Sequence, residues 1–100
     1  MTYPLDMVLH PPARLQIAAV LGRVTDMEFA VLRDVVGVSD SVLSKHLAAL
    51  AEAGYVALRK AAQDGRQRTW ASLTAPGRKA FGTHLAALQD LAAGARIDGS

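Results

Sequence analysis

The chain has 100 residues, of which 51% are hydrophobic and 20% charged, and its formal net charge is +2. A chain of this length is typical of one domain and can bury one hydrophobic core, so we treat residues 1–100 as a single domain. The absence of cysteine excludes disulfides and thiolate metal sites. No stretch approaches the roughly 20 apolar residues of a membrane span, and the N-terminus lacks the pattern of a signal peptide. We therefore expect a cytoplasmic protein.

The first part of the chain predicts two helices. Within a helix, proline is tolerated only in the first turn, so Pro11 and Pro12 indicate the start of a helix. We expect this helix to continue to about Gly22. A connector with room for a short strand follows. A second, short helix is expected at about 28–36, and Gly37 ends it.

A third helix is expected at about 40–53, with Ser39 as its N-cap. Leu43, Leu47 and Leu50 recur at helical spacing and predict one buried stripe. The opposite face is small, polar and basic, and it contains Ser41, Lys45, Ala48, Ala49 and Glu52. Such a face can enter the major groove of DNA, although a solvated helix surface has the same composition.

Beyond Gly54 the apolar period changes from that of a helix to that of a strand, which predicts a β-hairpin at about 55–73. Val56 and Leu58 are expected on its buried side. The hairpin would consist of strands at about 55–60 and 69–73, with an Asp-Gly turn within 63–66. A last helix is expected at about 75–93, capped by Thr74.

Positive charge is concentrated in this hairpin, because residues 59–68 contain four basic residues and one acidic residue. Lys60, Arg66 and Arg68 flank the turn, where long cationic side chains can reach phosphates or the minor groove. The alternative is that these charges only prevent pairing with other strands. Together with the third helix, the hairpin favours DNA binding.

Three segments carry a resemblance to a known family: SVLSKHL at 41–47, LAEAGYV at 50–56 and TWASLTAPGR at 69–78. In this order and at these spacings they resemble the winged helix-turn-helix transcriptional regulators of the MarR and ArsR type, and in particular their compact one-domain subgroup. The resemblance covers residues 10–90. It implies a mainly α fold with a small β-hairpin, and a homodimeric, sequence-specific regulator with its third helix in the major groove and its wing alongside.

The candidate DNA-contacting residues come from the third helix and the hairpin. His46 lies beside the apolar stripe, so it is either a packed histidine with a satisfied ring or a phosphate contact. Trp70 either covers a neighbouring helix, closes a subunit interface or stacks near a ligand, and His84 is expected in the core or at an interface. The complete candidate set is Ser39, Ser41, Val42, Ser44, Lys45, His46, Lys60, Arg66 and Arg68.

Other classes of function have little support. Metal-sensing ArsR relatives use cysteines or clusters of His and Asp, and the three histidines here lie on distant elements, so we expect no metal and no cofactor. No Gly-rich phosphate loop, nucleophile or acid–base pair indicates an enzyme. The ends that frame a ligand pocket in larger MarR relatives are short here, so a small-molecule effector has no residue-level support.

The apolar faces exceed what one domain needs to bury, which predicts a homodimer through the N-terminal arm, the first helix and the last helix. Such a dimer would bind an inverted repeat in double-stranded DNA, with half-sites about 34 Å apart. Five basic residues per subunit between 39 and 70 limit the logarithmic salt slope to about −9. The alternative is a winged-helix module that binds other proteins without specific DNA binding.

Overall fold

The structure is a computed structural model that describes residues 4–99, with side chains as far as Gly94. Within this range the chain forms helices and a small antiparallel sheet with strand order β1-β3-β2, which is the predicted mainly α fold with a β-hairpin. The elements are α1 (Pro12–Leu21), β1 (Met27–Glu28), α2 (Phe29–Val36), α3 (Asp40–Glu52), β2 (Val56–Gln63), β3 (Arg66–Leu73) and α4 (Ala75–Gly99).

The hydrophobic core lies between α1, α2, α3 and the inner face of the sheet. Leu43, Leu47 and Leu50 of α3 are at most 2% exposed, as their spacing predicts. Burying a leucine stabilises the fold by about 1.5–3 kcal/mol, so this stripe fixes the rotation of α3 about its axis. The leucines pack in one cluster with Leu9, Ile17, Ala18, Leu21, Leu32, Val56, Ala71 and Leu73.

The turn between α2 and α3 is fixed by polar contacts. The Ser39 hydroxyl accepts a hydrogen bond from the Val42 amide at 3.3 Å and is the N-cap of α3, as predicted. Arg33, near the end of α2, donates to Asp34 at 3.0 Å and to Asp40 in the first turn of α3 at 2.9 Å. The two helices of the helix-turn-helix are therefore connected by an ion pair as well as by the chain.

The hairpin is longer than the sequence predicts. Pairing continues from Val56↔Leu73 out to Gln63↔Arg66. The two turn residues, Asp64 and Gly65, both have positive φ values, 54° and 75°. This is the backbone of a type I′ turn, whose twist matches that of the strands and lets them pair up to the turn itself.

One prediction for the hairpin is wrong. Val56 is 4% exposed, as expected, but Leu58 is 45% exposed although it follows on the same face. The reason is the strand order: Leu58 lies on the edge strand β2, whereas its partner Ala71 lies on the central strand β3 and is 1% exposed. The sheet edge leaves one flank of Leu58 open to solvent.

The N-terminal arm packs through Asp6 against α4 and against Tyr55, the residue before β2. The Asp6 carboxylate accepts hydrogen bonds from the Tyr55 hydroxyl at 2.5 Å and from the Val8 amide at 2.9 Å. Its own amide donates to Nδ1 of His84, a fully buried residue of α4, at 2.8 Å. Burial raises the pKa of Asp6, but the hydrogen bonds to Tyr55, Val8 and Leu9 and the nearby His84 outweigh it, so the pKa is lowered.

The start of α4 is attached directly to the start of the hairpin. Thr74 caps the helix: its hydroxyl donates to the Gly54 carbonyl at 2.6 Å and accepts from the Gly77 amide at 3.0 Å. Its amide donates to the Tyr55 carbonyl at 3.0 Å. A Cβ atom on Gly77 would overlap that same carbonyl oxygen, so only glycine fits.

The last helix extends to Gly99, beyond the predicted end near 93. Gly94 lies inside it, because one glycine costs a helix about 1 kcal/mol but does not end it unless the backbone leaves the helical conformation. The single domain expected from the sequence includes residues 1–3 and 100, which lie outside the described part of the chain.

We predict that Gly77→Ala destabilises the protein by about 1–3 kcal/mol, because its Cβ atom must displace the Tyr55 backbone. Gly82→Ala is the matched control in the same helix. A Cβ atom at Gly82 meets nothing within 4 Å, so alanine there should stabilise by about 0.5–1 kcal/mol. Urea denaturation followed by circular dichroism measures both changes, and equal free energies of unfolding for the two variants would contradict the assigned contact.

Candidate nucleic-acid interface

Burial of the leucine stripe turns the opposite face of α3 outward. Ser41, Ser44 and Lys45 are exposed, and Val42 is 40% exposed. Ser39, at the N-cap, is also exposed, and its hydroxyl lies 3.3 Å from that of Ser41. The candidate residues in this segment are therefore all exposed near the N-terminal end of α3, and their side chains are small, hydroxylated or basic.

His46 lies at the margin of this surface and is half-buried. Its Nδ1 accepts a hydrogen bond of 3.1 Å from Nε of Arg14 in α1, and Nη1 of the same arginine donates to the Val8 carbonyl at 3.2 Å. Burial lowers the pKa of His46, and the charges of Arg14 and Lys45 lower it further, so the ring is neutral at pH 7. Arg14 precedes His46 by 32 residues, and the sequence contains no local signal for this pair.

The basic residues of the hairpin divide into two groups. Lys60 and Arg66 are exposed, and neither has an acidic partner among the residues described. Arg68 instead forms an ion pair of 2.9 Å with Glu28 of β1, with 32% and 18% of their side chains exposed. Arg68 is thus directed across the sheet toward β1.

A second arginine is held in the same way. Arg59 extends over the ring of Trp70, with 5.7 Å from its guanidinium carbon to the ring centroid, and forms an ion pair of 2.7 Å with Asp26. Trp70 is paired across the sheet with Arg59 on one side and with Glu28 on the other. This contact of Trp70 is with an arginine of the neighbouring strand and matches none of the three roles considered for it.

These pairs change the charge balance of the surface. Asp26 and Glu28 lie outside the basic segment of the sequence, yet they neutralise two of its arginines. The basic residues left without an acidic partner in the described segment 39–70 are Lys45, Lys60 and Arg66. For the expected homodimer, counting only these three charges in each subunit gives a limiting logarithmic salt slope of about −5 instead of −9.

The exposed face of α3 and the hairpin adjoin each other. A cleft of about 180 Å³ lies between them, with Ser44 and Ala48 on the helix side and Leu58 and Thr69 on the hairpin side. The structure therefore brings the two candidate elements together along one side of the molecule. The half-exposed Leu58 forms part of this side, which the sequence did not indicate because its pattern places Leu58 on the buried side of the hairpin.

The histidines do not form a shared site. His10 and His84 meet edge to face with their ring centres 5.5 Å apart, while His46 is bonded to Arg14. Among the described residues, no group of three or more His, Asp or Glu side chains is arranged to hold a metal ion. In the same part of the chain, no helix combines the length and apolar character needed to cross a membrane.

The sequence matches the family model described as a winged helix DNA-binding domain over residues 13–92. One curated relative is the uncharacterized protein MJ0432 of Methanocaldococcus jannaschii. It is 31% identical over 78 residues, which are 78% of this chain and 85% of that protein.

Solved structures share the fold. A transcriptional regulator homologue from Pyrococcus horikoshii OT3 matches with a TM-score of 0.86 and 25% identity, over 92% of this chain and 91% of that one. YusO from Bacillus subtilis matches with a TM-score of 0.77 and 21% identity, over 89% and 62% of the two chains. A MarR family transcriptional regulator from Silicibacter pomeroyi DSS matches with a TM-score of 0.67 and 24% identity, over 85% of this chain and 56% of that one. The chain therefore belongs to the winged helix DNA-binding domain family.

Proposed function

We propose that the protein is a homodimeric regulator that binds specific sequences in double-stranded DNA, with α3 in the major groove and the hairpin on the adjacent backbone or minor groove. The observation that carries the proposal is the exposed face of α3 beside the basic hairpin. An α-helix fits the major groove when its outer side chains are small enough for close approach, and this face meets that condition. Such a regulator works in the cytoplasm, and the proposal requires no cofactor.

The side chains of α3 have different roles in this proposal. Ser41, Ser44 and Lys45 can bond to base edges or phosphates, and the half-exposed Val42 can contact the methyl group of thymine. Ser39 and His46, at the two margins of the face, contact the backbone and set the register of the helix on the duplex.

The hairpin supplies sequence-independent affinity. Lys60 and Arg66 reach phosphates, because their charges are not neutralised within the described residues. Arg68 is restrained by Glu28, so in this proposal its main contribution is to hold the hairpin against β1. Its side chain is nevertheless 32% exposed and pairs with Ala61 near the turn, so Arg68 can also contact DNA from that end of the hairpin.

The homodimer forms through α4, α1 and the N-terminal arm. Leu85 and Leu91 of α4 are 41% and 37% exposed, and Met7 of the arm is 69% exposed. An open groove between α1 and α4 adjoins Leu85 and is lined by Leu73 and Phe81. A second copy packed on this groove by a two-fold axis would bury these apolar side chains and present two α3 helices to an inverted repeat.

Selection from a random DNA pool at two salt concentrations tests the function directly. We expect enrichment of an inverted repeat with half-sites about 34 Å apart and a logarithmic salt slope no steeper than about −5. Salt-sensitive binding without an enriched sequence would contradict base readout. No binding at low salt would contradict the proposal altogether and favour the protein-interaction module.

Single substitutions separate affinity from sequence preference. We predict that Arg66→Ala weakens binding to all DNA sequences by a similar factor and makes the salt slope shallower by about 1 for each phosphate that is no longer neutralised. Lys45→Ala should instead change which sequence is preferred. Lys79→Ala, which removes one exposed charge from α4 away from α3 and the hairpin, is the control. Equal effects of Arg66→Ala and Lys79→Ala, measured by fluorescence anisotropy, would exclude the assigned role of the hairpin.

Light scattering at low micromolar concentration tests the dimer. We expect the mass of two chains for the native protein and of one chain for Leu85→Asp, because burying a carboxylate without a partner is costly. Val35→Asp is the matched control, since Val35 is 56% exposed on α2, outside the proposed interface. A monomeric native protein, or the same mass for both variants, would contradict the proposed interface.

A further inference from the structure

Arg14 is the residue whose placement the DNA-binding role proposed above does not explain. It lies in α1 and is half-buried, yet its guanidinium is held on two sides. Nε donates to Nδ1 of His46 in α3, and Nη1 donates to the carbonyl of Val8 in the arm. A side chain with this many rotatable bonds loses conformational freedom when it is fixed at both positions, so its orientation is well defined.

The bond to Arg14 determines which ring nitrogen of His46 carries the proton. Arginine stays protonated and can only donate, so Nδ1 of His46 must provide a lone pair. The proton of the neutral ring is therefore on Nε2. Within the described residues Nε2 has no hydrogen-bond partner, and it is not among the buried unpaired atoms, so it is open to solvent.

We propose that Arg14 is a positioning residue that holds His46 as a neutral ring with its Nε2–H directed to the DNA backbone. This inference rests on the proposed DNA-binding function. Phosphate oxygens only accept hydrogen bonds, so the ring must present N–H to them and not a lone pair. By fixing Nδ1 as the acceptor, Arg14 selects the tautomer with the correct polarity before DNA is bound.

The same contact keeps the ring uncharged over the physiological pH range. A proton on Nδ1 would break the hydrogen bond to Arg14 and create a cation beside two others. The charged groups that act on His46 are Arg14 from α1 and Lys45 from α3, and both, together with burial, lower its pKa. The unfolded chain therefore binds this proton more readily than the folded one. The stability associated with the neutral ring is present above the ordinary pKa of about 6.5 and is lost as the pH falls through the folded value.

The ring nitrogens can be observed in the free protein by two-bond ¹H–¹⁵N NMR correlation. We expect the Nε2–H tautomer in the native protein and a titration midpoint below about 6.5. In Arg14→Met, which keeps an apolar stem but removes the donors, the midpoint should rise and the tautomers should mix. Arg23→Met removes an exposed charge just after α1 and should leave both unchanged. Identical His46 spectra for the two variants would overturn the positioning role, whatever the result with DNA.

DNA binding between pH 5.5 and 8 tests the second half of the inference, with the selected sequence as the probe. Arg14→Met should bind about 3–10-fold more weakly at pH 8, the loss expected for one oriented hydrogen bond. Its affinity should recover as the pH falls through about 6.5, because a protonated ring again donates to phosphate. Adding His46→Gln to Arg14→Met should remove this recovery.

Substitutions at His46 keep the test valid if Arg14→Met does not fold. His46→Gln can accept from Arg14 through its oxygen and donate through its nitrogen, so it should retain affinity within about 3-fold and show no titration. His46→Leu should lose about 3–10-fold. Equal affinities for His46→Leu and the native protein would overturn the contact between His46 and DNA. Failure of the native protein to bind any DNA would instead contradict the proposed function, and the NMR result on the free protein would distinguish the two cases.

Discussion

The burial of one leucine stripe on α3 is the constraint on which the rest of the molecule depends. A helix has a fixed angular period, so once Leu43, Leu47 and Leu50 face the core, the directions of Ser41, Ser44 and Lys45 are determined. The hydroxylated and basic face then has no freedom to turn inward without exposing three leucines. The exposed face of α3 is thus set by the energy of the core, even though its own side chains contribute little to stability.

The sequence predicted the order of elements, the N-cap at Ser39 and the Asp-Gly turn, because each depends on residues close together in the chain. It expected Leu58 to be buried, whereas Leu58 is 45% exposed, since alternation identifies a face but cannot tell an edge strand from a central one. Two of the sequence segments that carry the family resemblance, 50–56 and 69–78, also meet in space. The Thr74 hydroxyl at the start of α4 donates a hydrogen bond to the carbonyl of Gly54. The order of these segments can be read from the sequence, but the hydrogen bond that joins them is visible only in the structure.

The candidate site was predictable in position but not in charge. Counting residues between 39 and 70 finds five basic side chains, and the fold brings Asp26 and Glu28 from outside that segment onto two of them. Partners separated by 33 and 40 residues leave no periodic or local signal. The same holds for Arg14, whose contact with His46 exists only because α1 crosses α3. Within the described part of this segment, Lys45, Lys60 and Arg66 are the basic residues without an acidic partner.

The close approach of Gly77 to the Tyr55 carbonyl has a geometric consequence at long range. It fixes the direction of α4 at one end, and the helix then continues for 25 residues. At the helical rise per residue this is about 37 Å, so a tilt of roughly 10° at the contact moves the far end by about 6 Å. A small change of angle at this glycine is therefore magnified along the helix. In the proposed dimer, the separation of the two DNA-binding faces would depend on how closely two backbones approach at that point.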